Sequence, residues 1–144
     1  RLRRVLLRTS YLFLNEVEVE YMTGTREPAE AAKRLSAINS GLTAILKSGS
    51  EGCTMFSGRT TIRVPGIDLE EYGLRVVNTV GCGDAFLGAF SAARALNLSD
   101  EEALNWANWA GALKATKAET RGSPTRSELD KWTARTRTHD ATSV

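Results

Sequence analysis

The residues best suited to chemistry lie in one stretch, Val77-Asn78-Thr79-Val80-Gly81-Cys82-Gly83-Asp84-Ala85-Phe86. It reads as strand, glycine turn, carboxylate, helix. Gly81 and Gly83 lack a Cβ, so the turn can take unusual backbone angles and let a bulky anion approach. Where a helix opens, its first N–H groups have no intrahelical acceptor, and together with the helix dipole they attract negative charge. Asp84 would be held as the anion by the same dipole and so be able to accept a proton. Phosphoryl transfer needs donors for the moving group beside a base for the attacking hydroxyl. A well-capped helix entry with an ordinary first-turn aspartate fits the spacing equally well, and spacing alone leaves the two readings even.

Other chemistries are disfavoured. A Walker A loop, G-x-x-x-x-G-K-[ST], is absent. Gly88 falls five residues after Gly83, the wrong place for a dinucleotide-binding G-x-G-x-x-G. The one histidine, His139, sits in a polar tail, which argues against a histidine metal site or a Ser-His-Asp triad. Cys53 and Cys82 are far apart, in neither a CxxC nor a zinc spacing, as expected in a reducing compartment. With 144 residues, 42% apolar and 25% charged, the chain has the balance of an ordinary globular protein. A net charge of +2 gives no reason to expect nucleic acid, and Arg1, Arg3, Arg4 and Arg8 read as the solvated flank of an apolar run. No apolar stretch nears the ~20 residues of a membrane span, and no signal peptide is visible. The expected compartment is the cytoplasm. The first residue is Arg1, so either a start was removed or the sequence is a piece of something longer.

The elements that must position these residues can be read from apolar runs and punctuation. Val5 to Leu14 is expected as a buried strand, Asn15 to Met22 as a short helix ended by Gly24, and Ala29 to Asn39 as a helix with Pro28 in its first turn. Leu42 to Leu46 reads as a second strand, Gly49 and Gly52 as the brackets of a turn, and Cys53–Phe56 with Thr60–Val64 as a hairpin. Leu74 to Val77 is expected as a last short strand. Asp84 to Asn97 follows as a helix with Phe86, Ala89, Phe90, Ala93 and Leu96 on one face. Ser99 with Glu102 predicts a capping box for a helix to about Ala118, and Thr125 with Glu128 a second box for a helix through about Arg135. Residues 136–144 read as a frayed polar tail. Strands alternating with helices imply an α/β class with a largely parallel sheet, in one domain or most of one.

Asn78 to Asp84, continued by Ala85-Phe86-Leu87-Gly88-Ala89-Phe90, closely resembles the C-terminal signature of the ribokinase-like (PfkB) carbohydrate kinases, roughly D-T-x-G-A-G-D-x-F-x-x-G-F. Asn15-Glu16-Val17-Glu18 resembles the family's N-x-x-E segment, and Ile45 to Gly52 its strand and T-x-G-x-x-G turn. Ala107-Asn108 and Gly122-Ser123-Pro124 resemble the late helix and the loop that closes around the nucleotide. The matches keep the family's order and cover most of residues 5–133. The resemblance implies a three-layer α/β/α fold truncated at its N-terminus, with residues 1–135 as the C-terminal nucleotide-binding and catalytic portion. It implies an ATP- and Mg²⁺-dependent kinase acting on an alcohol of a sugar or sugar phosphate.

By the same resemblance, Asp84 would be the general base, and the amides of Gly81, Cys82 and Gly83 the anion hole. Asn15 and Glu18 would organise Mg²⁺, while Lys47, Gly49, Gly52, Asn108 and Ser123 would line the nucleotide site. Asn78 replaces the usual Asp, a position that in many relatives helps hold a monovalent cation, which leaves a potassium requirement open. Lys47 stands where Thr or Ser is common and either adds charge near the phosphates or points to solvent. The Cys82 thiol, close to a helix start, is expected to have a lowered pKa. Relatives are about twice this length, and the missing half carries the sugar-binding residues and much of the dimer interface. The partners implied are therefore that half or a second copy. A nucleoside kinase, or a nucleotide-binding module without catalysis, are the competing readings.

Overall fold

A computed structural model of the chain describes residues 2–140, and the side chains of residues 2–135. Two compact units are present, Arg1–Gly66 and Ile67–Val144.

In the first unit the apolar run from Val5 does not form one strand. Leu2–Leu6 is a short helix, α1, and only Tyr11–Asn15 is extended, as β1. The amides of Leu7, Arg8 and Thr9 bond back to the carbonyls of Arg3, Val5 and Leu6, and the Thr9 hydroxyl donates to Val5 at 2.9 Å. These local bonds hold the chain in a turn that an extended strand could not make. Asn39 fixes the connection by donating to the carbonyls of Leu6 and Thr9.

Helices α2 (Glu16–Thr23) and α3 (Pro28–Ile38) cross over to β2 (Thr43–Lys47). The expected stop signals operate. Gly24 takes the left-handed conformation after α2, and Pro28 opens α3. A 3₁₀ turn at Gly49–Glu51 leads to β3 (Gly52–Ser57), and Gly58-Arg59 turns the chain into β4 (Thr60–Pro65). Strand order is β1-β2-β3-β4, with β1 parallel to β2 and the other two pairs antiparallel. The sheet is thus mixed where the sequence suggested a largely parallel one. Loops this short can only join antiparallel neighbours, and α2–α3 forms the single crossover long enough for a parallel pair. Leu14, Val19, Ala31, Leu35, Leu42, Ala44 and Leu46 form the core between these helices and the sheet. An open cleft of about 360 Å³ lies beside α3, lined by residues such as Lys33, Ser36, Phe56 and Thr61. None of the candidate site residues faces it.

The second unit is built on an antiparallel helix pair, α4 (Cys82–Ala95) and α5 (Asp100–Ala115), followed by α6 (Arg126–Asp140). α4 buries Ala85, Phe86, Ala89, Phe90 and Ala93, as its spacing predicts. Leu96, expected on the same face, is exposed, because α4 ends at Ala95 and the chain turns away through Asn97 at φ 58°. Both capping boxes form, Ser99 with Glu102 and Thr125 with Glu128. α5 stops three residues before the expected Ala118, where the Thr116 hydroxyl takes the Leu113 carbonyl at 2.7 Å. α6 continues past Arg135 to Asp140, and the remainder of the expected tail, like Arg1, lies outside the described residues. Leu74 to Val77 is not a strand. The amides of Val77 and Asn78 both donate to the single carbonyl of Ala115, a pattern that no ladder makes. Trp109 is fully buried, stacks on Trp132 at 5.2 Å, and receives the edge of Tyr72.

Two predictions follow from the first unit. A Cβ on Gly52, at φ 101°, would lie 2.1 Å from the Val64 carbonyl. Gly52→Ala should therefore destabilise by roughly 1–3 kcal/mol or more, whereas Gly58→Ala, in open space, should lose less; urea midpoints compare them. Burial raises the pKa of the Cys53 thiol from 9.0 to about 12. The fold holds that proton, so its stability is fully present below pH 9 and is lost as pH rises from 9 to about 12. Cys53→Ala should unfold with a shallower alkaline dependence in chemical denaturation at stepped pH.

Candidate active site

The candidate residues divide between the two units. In the first, Asn15 ends β1 and Lys47 ends β2, and the two are register partners at the carboxyl ends of the parallel pair. Open α/β sheets bind ligands at that end of their strands. The Asn15 side chain accepts the Glu18 amide at 2.9 Å, and Glu18 returns one carboxylate oxygen to the Asn15 amide at 2.8 Å. The pair is a capping box, so the N-x-x-E spacing has a structural role whatever else it does. The second carboxylate oxygen of Glu18 has no partner among the described residues. Lys47 is half-buried and likewise unpaired among them. Gly49 is exposed at φ 55°, while Gly52 is buried and seals the turn.

In the second unit the glycine turn has the geometry that its composition suggests. Gly81 caps α4 in the left-handed conformation, φ 84° and ψ 1°. A Cβ there would lie 2.9 Å from the Thr120 carbonyl and 3.5 Å from Cε of Lys114. Only glycine fits such a place without strain. Gly83 and Asp84 follow in the first turn of α4, both exposed. The Asp84 carboxylate makes no hydrogen bond or ion pair among the described residues, and the amides of Gly81, Gly83 and Asp84 have no acceptor there. The Cys82 amide differs from expectation, since it donates to the Thr79 carbonyl at 3.2 Å. The open donors are therefore Gly81, Gly83 and Asp84, with Cys82 used in closing the turn.

The Cys82 thiol also departs from expectation. Its pKa is raised, because partial burial outweighs the pull of the nearby Lys114 charge. Helix position alone omits that desolvation. Asn78 ties two loops together, its amide donating to the Ala118 carbonyl at 2.9 Å while its oxygen accepts the Val80 amide at 3.0 Å. Asn108 is buried on α5 rather than presented to solvent, and Ser123 is exposed in the loop before α6. Lys117 reaches Glu128 at 3.3 Å across that loop. The Thr125 backbone and hydroxyl, and then Lys117, hold the Glu128 carboxyl below its ordinary range.

Sequence reasoning missed Lys114. Its side chain is fully buried, and Nζ has no hydrogen-bond partner among the described residues. The available signal was its spacing, because Ala103, Ala107 and Ala110 precede it on one buried stripe of α5.

The open amides of the glycine turn and the buried ammonium beside it suit a polyanion such as a nucleotide triphosphate. Among the described residues no three His, Cys, Asp or Glu side chains are grouped to hold a metal. Mg²⁺ in kinases needs only one or two carboxylates beside phosphate and water ligands, so Glu18 with its free oxygen fits that limited demand. No helix among the described residues is long and apolar enough to cross a membrane.

The profile of the pfkB family carbohydrate kinases matches residues 1–130. A protein named probable fructokinase-5 of Arabidopsis thaliana is 36% identical over 80 residues, which are 51% of this chain and 23% of the relative. The 1-phosphofructokinase of Haloferax volcanii is 38% identical over 79 residues, 54% of this chain and 24% of its own. An Escherichia coli protein described as a ribokinase II, solved with ATP and Mg²⁺, superposes with a TM-score of 0.81 at 27% identity, over 93% of this chain and 42% of the other. Arabidopsis thaliana ribokinase with ribose and ATP gives 0.79 at 26% identity, over 91% and 43%. The chain spans about a quarter of the curated relatives and about two fifths of the solved chains. It has the ribokinase-like fold over nearly its whole length. With a match over residues 1–130, the chain belongs to the pfkB family of carbohydrate kinases.

Proposed function

We infer that the protein carrying this chain transfers the γ-phosphoryl of ATP to an alcohol of a sugar or sugar phosphate. Residues 1–135 would be its nucleotide-binding and catalytic portion. The observation that carries this reading is the coincidence, at one helix start, of unpaired amides at Gly81, Gly83 and Asp84 with an exposed, unpartnered Asp84 carboxylate. A capped helix entry alone would not need a left-handed glycine wedged against a carbonyl.

Asp84 accepts the proton of the acceptor hydroxyl as it attacks. The amides of Gly81 and Gly83 hold the oxygens of the moving phosphoryl, fixed before the reaction begins and so requiring no reorganisation. In the second unit, Asn108 and Ser123 are the groups suited to a nucleotide. In the first unit, the Gly49–Gly52 turn with Lys47 and Glu18, on the strand and helix that meet at Asn15, is suited to phosphates and their metal. ATP with Mg²⁺ supplies the phosphoryl group and neutralises the charge that develops on it. Asn78 holds the turn's shape through both polar ends of its side chain, and its oxygen keeps a second lone pair for the cation that the family's Asp helps hold. The acceptor pocket comes from chain outside this sequence or from a partner subunit, and the family's range makes a nucleoside the alternative acceptor.

Replacing Asp84 by Asn in the full-length protein is the direct test. Turnover should fall by at least two orders of magnitude, the scale of a lost general base, while ATP binding measured by calorimetry persists. Turnover near that of the unaltered protein would remove Asp84 from its role.

A further inference from the structure

Lys114 is fully buried, and its Nζ has no hydrogen-bond acceptor among the described residues. No carboxylate lies within ion-pair reach of it there. An ammonium taken out of water without partner or counter-charge is among the most costly arrangements in a protein interior. Its surroundings offer partial relief only. Lys114 stands in the last turn of α5, where the carbonyl end of the dipole favours a cation. Its stem passes under the glycine turn, with Cε 3.5 Å from where a Cβ on Gly81 would be. Its charge is close enough to the Cys82 thiol to oppose the effect of burial there.

The opposite end of the same turn is the start of α4, whose positive dipole end repels an ammonium. Two positive features, the buried Lys114 side chain and the open amides of Gly81, Gly83 and Asp84, therefore belong to the same turn, with Lys114 reaching it at Gly81 and forming no ion pair among the described residues. An apolar residue would pack there as well and without the electrostatic cost, as the alanines do at the preceding positions of that stripe.

We propose that Lys114 is a positioning residue for the phosphate chain, a fixed positive charge beneath the glycine turn whose counter-ion is the bound polyphosphate. This rests on reading the turn as the phosphate site and adds a residue that no motif marks. Lys114 does not touch the reacting atoms. It raises the potential at the amides, so the bound anion and the buried ammonium stabilise each other. The free protein carries an unbalanced charge that the ligand neutralises.

The probe is inorganic tripolyphosphate, which has the phosphates without the base or sugar, titrated into the full-length protein and its Lys114→Met variant. Methionine matches the stem in length and removes the charge. Without ligand, K114M should melt at the same temperature as the unaltered protein or higher. Its Kd for tripolyphosphate by calorimetry should be at least tenfold weaker, with the loss in kcat/KM falling mainly on KM for ATP. In the unaltered protein, ¹⁵N spectra of the lysine ammonium groups give a second reading that needs no variant. Lys114 is the one buried lysine among the described residues, and its slowly exchanging signal should shift or sharpen as tripolyphosphate is added. Equal affinity in K114M, or an ammonium signal indifferent to the anion, overturns the role of Lys114 and leaves the phosphate site standing. Failure of the unaltered protein to bind tripolyphosphate overturns the phosphate site, and the proposal with it.

Discussion

The second unit depends on one residue that has to be glycine. Gly81 turns the chain into α4 at a positive φ, pressed between the Thr120 carbonyl and the stem of Lys114. With a side chain there the turn would open and the first residues of α4 would move. The amides that follow would then lose their common direction. The N–H groups at the start of a helix are always unsatisfied, but they become a site only where the chain stays clear in front of them. Gly81 lets the chain enter α4 while packed against the Thr120 carbonyl.

The turn is held from three sides. Asn78 bridges its upstream arm to Ala118, and the Ala115 carbonyl accepts the amides of both Val77 and Asn78. At Gly111, α5 passes α4 near the Cys82 carbonyl, at a distance where a Cβ would make an ordinary contact. Lys117 and Glu128 close the loop before α6, and Trp109, Trp132 and Tyr72 fasten that helix to the pair. These contacts are local to one unit, so the turn does not rely on long loops for its shape. The first unit uses the same device at Gly52, where a glycine lets two backbones come closer than any side chain would allow.

Burial also decides the charges. Cys82 sits at a helix start beside a lysine, two features that acidify a thiol, and yet desolvation prevails. Lys114 is kept in the interior, beside Gly81 and the open amides of the glycine turn. A core built for stability alone would place a hydrocarbon there.

Much of this was legible in the residues. Gly24, Pro28, the two S/T-x-x-E boxes and the spacing of Phe86, Ala89, Phe90 and Ala93 each state a local rule, and the chain obeys them because caps and helix faces are decided within a few residues. The run N-T-V-G-C-G-D predicted a glycine turn opening a helix for the same reason, and α4 starts there. Tertiary structure decided the rest. The apolar run at Val5 could be helix or strand, and Asn39, some thirty residues on, ties the turn between α1 and β1 through the Leu6 and Thr9 carbonyls. Leu74 to Val77 had strand composition but found the Ala115 carbonyl in place of a neighbouring strand. Which amide of the turn is spent, whether a thiol is acidified, and that Lys114 lies in the dark beneath Gly81 all depend on atoms distant in sequence. Periodicity reports which face of a helix is buried, and desolvation depends on what covers it.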